Sequence, residues 1–188
     1  MISTAVGSLL LAATAAFLPA SGAQSHGAQS PAQSFLEKAA ERQQVEIALG
    51  QLANERAADQ QVKQFGSQMI EHHRKAHAEI QQLAANEGVL LSTELTGKHK
   101  DKKEEIGRLS GRDFDKAYMA FMLRDHRNDV KECERHVRGI KDPQLRQWAE
   151  RTLPVLKQHL QQAQQIASAI GIDASESHQQ RGNGYEHR

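Results

Sequence analysis

VKQFGSQMIEHHRKAHAEIQQL, Val62 to Leu83, decides the fold class. Its apolar positions Val62, Phe65, Met69, Ala76, Ile80 and Leu83 recur at spacings of three and four, which place them on one stripe of an α-helix. His73 falls on that stripe. A stripe that faces a core normally carries aliphatic side chains, because a buried polar group costs free energy unless it is paired. The same pattern, with the same anomaly, recurs twice more. Met119, Met122, His126, Val130, Cys133 and Val137 define a stripe on a helix expected over about residues 111–138. Leu145, Ala149, Thr152, Leu156, His159, Ala163, Ile166 and Ile170 define another over about residues 143–170.

Working outward, the first of these helices is expected over about residues 60–86, with Gly88 just past its end as a C-terminal glycine should be. Upstream, residues 34–58 carry the stripe Leu36, Ala39, Gln43, Glu46, Gly50, Ala53 and Ala57, with Ser34 as N-cap and Glu37 completing a capping box. Between the second and third long helices lies a shorter charged one, about residues 94–109, containing KHKDKKEE, read as a solvated crossover. Pro143 suits the first turn of the last helix, and Pro154 should kink it near Glu150. No segment alternates with the period of a strand. The expectation is an all-α, ferritin-like up-down four-helix bundle whose long connection between the second and third long helices holds a short extra helix. An internal repeat supports two related hairpins: DQQVKQF (Asp59–Phe65) aligns with DPQLRQW (Asp142–Trp148), and that alignment carries Glu46 onto Asp129.

The ends read differently. Residues 1–23 contain VGSLLLAATAAFLP and finish in SGA, as an export signal cleaved after Ala23 would. This run is too short for a comfortable membrane span, and no transmembrane span is expected once it is removed. Residues 24–33 read as a flexible linker, 34–172 as the bundle domain and 173–188 as a disordered tail. The protein is therefore expected in the periplasm or secreted. A net charge of +1 and an aromatic content of 4% provide neither a basic field nor stacking surfaces for nucleic acid. Cys133 is the only cysteine, so no internal disulfide forms. A homo-oligomer is compatible with the pattern.

The chemistry lies in the stripes. Zinc, copper and iron accept imidazole nitrogen, and zinc and iron also accept carboxylate. His73, His126, His159 and Glu46 supply one ligand from each long helix, a three-histidine, one-carboxylate set for a transition-metal ion. Asp125 and His72 flank two of the histidines as outer partners that can fix an imidazole tautomer. Met69, Met119 and Met122 are read chiefly as core packing, with soft copper(I) ligation as the other use. His77, His99 and His136 are expected to face solvent. None of the ten histidines has an acid three residues before it. That removes the Glu-x-x-His signature of di-iron bundles, so a conventional di-iron oxidase is disfavoured. No nucleophile with a paired base and no phosphate loop stands out, leaving nothing positive for catalysis beyond the metal. The competing expectation is a metal-free structural or interaction module of the cell envelope, with the histidines as core hydrogen-bonders.

Five ordered motifs carry a family resemblance: FLEKAA (Phe35–Ala40), MIEHH (Met69–His73), FDKAY (Phe114–Tyr118), MLRDH (Met122–His126) and TLPVLKQH (Thr152–His159). Over about residues 34–170 the chain resembles the bacterial family called domain of unknown function 4142. The resemblance implies a ferritin-like helical bundle on an exported protein, and histidines at the positions of His73, His126 and His159. His72 departs from the family pattern, which more often has Asp there. Members are often labelled outer membrane proteins, yet the alternating strands of a membrane barrel are absent from this sequence.

Overall fold

In the computed structural model, which describes residues 30–172, five helices follow one another. They are α1 (Pro31–Arg56), α2 (Gln60–Asn86), α3 (Gly97–Gly107), α4 (Gly111–Gly139) and α5 (Pro143–Ala169). Helices α1 and α2 pack along each other as one hairpin, and α4 and α5 as a second. The hairpins meet through α1 against α4 and α2 against α5, while α3 bridges α1 and α4. No helix among the described residues is long and apolar enough to cross a membrane. The expected signal segment and tail lie outside the described residues.

The helix ends follow from their caps. α1 starts earlier than the periodicity suggested: Ser30, not Ser34, is the N-cap, its hydroxyl accepting the Gln33 N–H, with Pro31 in the first turn. The last residues of the expected linker are therefore helical, because Pro31 is pre-set for a first turn and Ser30 satisfies a free donor there. Glu37 makes no capping box and instead accepts from the Gln33 side chain. Asp59 and Asp142, which align in the repeat, both cap helices: Asp59 accepts from the Gln61 and Val62 N–H groups, and Asp142 from that of Leu145. Gly88 takes φ +67°, the left-handed turn that ends α2. α5 runs unbroken through Pro154.

Two devices hold the α1–α2 hairpin. A Cβ on Gly50 would stand 2.7 Å from the Gly66 carbonyl oxygen, and one on Gly66 would stand 2.6 Å from the Ala53 Cβ. Glycine at both positions lets the backbones approach more closely than any side chain permits. The tight α1–α2 turn is fastened from α4: buried Asp115 accepts the backbone N–H groups of Ala58 (3.1 Å) and Asp59 (3.0 Å). These donors would otherwise be orphaned at a helix start.

The core is not continuous. One apolar cluster holds Leu49, Ala53, Val62, Phe65, Met69, Phe114, Tyr118, Met122 and Ala163. The other holds Leu36, Ala40, Ile80, Ala84, Cys133, Leu145, Trp148 and Leu156. Along each long helix the two sets occupy opposite ends. Between them lies a polar layer: Gln43 and Glu46 of α1, His73 of α2, His126 and Asp129 of α4, and His159 of α5, all buried.

Candidate metal centre

His73, His126 and His159 are 4%, 0% and 1% exposed. Each sits near the middle of its helix, so when the hairpins pack, the three rings share one level. One ligating nitrogen from each lies within 4.8 Å of the other two. Ring centroids are 5.9 Å apart for His73–His126, 5.4 Å for His73–His159 and 5.3 Å for His126–His159.

The hydrogen bonds divide each ring in two. His73 Nδ1 stands 2.7 Å from the Gln43 amide oxygen and so donates to it. His126 Nδ1 donates to the Met122 carbonyl at 3.1 Å. His159 Nε2 lies 2.8 Å from His72 Nδ1, with the two rings stacked at 5.0 Å. The remaining nitrogens, His73 Nε2, His126 Nε2 and His159 Nδ1, are buried and have no hydrogen-bond partner among the described residues. A neutral imidazole that donates through one nitrogen presents a lone pair at the other. Fixing the first nitrogen by a hydrogen bond is how proteins orient metal-bound histidine. Zn–N bonds of about 2.0–2.1 Å place two ligands about 3–4 Å apart, so three donors within 4.8 Å suit one shared ion with slight contraction. The orphaned nitrogens are the observation that fits a metal, since buried polar atoms otherwise find partners.

Electrostatics keep these rings neutral. Burial is the largest cause in each case. It holds His73 well below its ordinary value, helped by His126, His159 and His72. It lowers His159 to about 3, with His126 and His72 adding to the effect. His126 is also lowered, against the pull of Asp125 and the Met122 carbonyl. The proton that would compete with a metal is thus already disfavoured.

Glu46, expected as the fourth ligand, is fully buried but stands outside this group. Gln43 is the α1 residue that bonds to one of these three histidines, and Glu46 is almost a turn further on. Glu46 faces acids instead. Burial, then Asp125 and Asp129, push its carboxyl well above the usual range, with Arg42 opposing. Neither Glu46 oxygen nor Asp125 Oδ2 finds a donor. As ionised groups the two carboxylates have no proton to share; with Glu46 protonated, its O–H has Asp125 as acceptor. Burial also lifts Asp129 to about 8, despite its ion pair with Arg42, which bridges Asp129 and Glu132. Of the two expected outer partners, His72 engages His159, while the bonded partner of His126 is the Met122 carbonyl and not Asp125. His77, His99 and His136 are half-buried rather than solvent-facing: His99 pairs with Glu41 and His136 packs edge-on against Phe35. Gln43 was visible only as a polar residue on an apolar stripe, the same signal that revealed the histidines.

A cleft of about 300 Å³ opens between α1, α4 and α5, with Phe35, Arg42, Glu132 and Trp148 in its wall. Gln43 lines it as well, so the cleft reaches the hydrogen-bond partner of His73.

Comparison with known proteins adds family and fold. No curated protein matches this chain. A solved structure described as a secreted DUF305 protein from Streptomyces coelicolor superposes with a TM-score of 0.64 at 10% identity, covering 76% of this chain and 95% of that one. At that identity the likeness shows a shared helical fold alone. The model of the domain of unknown function DUF4142 matches residues 18–166, most of the chain. The protein therefore belongs to the DUF4142 family.

Proposed function

We propose that this protein is an exported, ferritin-like helical bundle that binds one transition-metal ion (zinc, copper or iron) through His73, His126 and His159, and serves metal handling or envelope stress protection. One observation carries the reading: three buried, unpartnered ring nitrogens from three helices, each on a ring whose other nitrogen is already held. A core histidine kept only for packing needs both nitrogens satisfied or one exposed; these three are neither. The ligand set is the three histidines, with Glu46 as a buried neighbour. Export rests on the small-residue apolar leader in residues 1–23, and the ferritin-like reading on two hairpins with a long α2–α4 connection that holds α3.

The test is elemental analysis of protein purified from the periplasm, beside the variant combining His73→Ala, His126→Ala and His159→Ala. The expected result is near-stoichiometric metal in the natural protein and loss of it in the variant. Equal metal content in the two would overturn the reading.

A further inference from the structure

Resting on that metal-binding reading, we propose that the site discriminates in favour of copper(I) over zinc(II), and that His72 is the positioning residue which sets this discrimination. The argument begins with charge. All three donors are imidazoles, and each is held by a group that is not a carboxylate: the Gln43 amide, the Met122 backbone carbonyl and the His72 ring. Among the described residues, no carboxylate bonds to any of the three rings. The acids in the same layer are otherwise committed: Asp129 and Glu132 to Arg42, and Glu46 to its contact with Asp125. The energy of placing an ion in a poorly polarisable interior rises with the square of its charge, so a divalent ion costs about four times a monovalent one of equal size. A neutral donor set inside a buried layer therefore favours the monovalent ion.

Donor number points the same way. Structural zinc is almost always four-coordinate, and zinc held by three histidines completes its shell with a water. Here three donors converge, and the acid that sequence offered as a fourth is outside the group. Copper(I) is content with three donors and tolerates soft, apolar surroundings, and imidazole is among its ligands. Met69 and Met122 lie one helical turn before His73 and His126, both fully buried.

His72 is where this balance is set. It is half-buried at the edge of the layer, and its Nδ1 lies 2.8 Å from His159 Nε2. For His159 to offer Nδ1 to a metal, its Nε2 must carry the proton and donate it. His72 Nδ1 is the acceptor that selects this tautomer. A carboxylate in its place would select the same tautomer while adding a negative charge and raising the basicity of the ligand. His72→Asp is therefore predicted to shift the site towards zinc, whereas His72→Asn, a neutral acceptor, is not.

The experiment measures two affinities on the full chain and on each variant, with helical content checked by circular dichroism. Copper(I) is titrated anaerobically under ascorbate against bicinchoninate, and zinc(II) against 4-(2-pyridylazo)resorcinol. In His72→Asp, zinc affinity is expected to rise about ten- to a hundredfold, the range that outer partners command, while copper(I) affinity stays near the natural value. In His72→Asn both stay near the natural values, a pattern that a merely structural role would not produce. The inference is overturned if His72→Asp moves both metals equally or neither, or if His72→Asn behaves as His72→Asp does. Failure of the underlying reading looks different: the natural protein and its triple-histidine variant would then bind neither metal in stoichiometric amount.

Discussion

Acidification should unfold this protein through its buried histidines, and a single substitution isolates one of them. His159 is 1% exposed and its pKa is held at about 3 by burial and by His126 and His72. In the unfolded chain the same imidazole returns to about 6.5. The folded pKa is the lower one, so the unfolded state binds the proton more readily and each step below about pH 6.5 favours unfolding. From pH 7 to pH 5 the unfolded imidazole goes from mostly neutral to almost fully protonated, while the folded one stays neutral. Integrating that difference yields about 1.9 kcal/mol of stability lost through this one residue, rising to about 4 kcal/mol at pH 3. His159→Leu removes the titration and leaves the half-buried His72 within reach of water. Whatever the substitution costs at pH 7, its cost relative to the natural protein should fall by about 1.9 kcal/mol at pH 5. Groups that do not touch His159 cancel in that comparison, and relief of His73, which His159 helps to hold low, alters it only secondarily. The assay is urea unfolding followed by circular dichroism at both pH values, in the presence of chelator so that no metal competes with the proton. A cost that is the same at pH 7 and pH 5 would refute the reasoning, for it would mean that His159 is protonated in the folded protein or exposed to water.

Three further outcomes follow from the packing. Asp115→Ala orphans the Ala58 and Asp59 N–H groups at the α1–α2 turn and should cost about 1–3 kcal/mol, read as a lower urea midpoint with an unchanged slope. Gly50→Ala drives a Cβ to 2.7 Å from the Gly66 carbonyl and should cost about 1–3 kcal/mol as the hairpin splays, measurable as a fall in melting temperature. Glu46→Gln replaces a carboxyl whose folded pKa lies well above its unfolded value. The natural residue favours the folded state fully only below about pH 4.5 and loses that contribution as pH rises through the folded pKa. The variant should therefore gain stability relative to the natural protein between pH 4 and pH 7, and a flat difference across that range would contradict a protonated Glu46.

Sequence alone was enough for the helices, and the reason is local. Amphipathic periodicity, capping residues and proline or glycine punctuation act within a few residues, so α2, α4 and α5 begin or end within a residue or two of their expected limits. The start of α1 was misplaced because Ser30 and Ser34 are both competent caps, and only Pro31 in the first turn tips the choice. The three histidines were legible for the same reason: imidazole on an apolar stripe is an anomaly that periodicity exposes. What periodicity cannot supply is axial height. Glu46 and Gln43 lie on the same stripe, but the relative sliding of α1 against α2, set where Gly50 meets Gly66, puts Gln43 and not Glu46 beside His73. His72 lies off the stripe, so its bond to His159 across two helices follows from how α2 and α5 face each other. Sequence thus determined which residues turn inward. Tertiary packing decided which of them meet, because contact depends on the register of whole helices, and a shift of less than one turn exchanges a carboxylate for an amide.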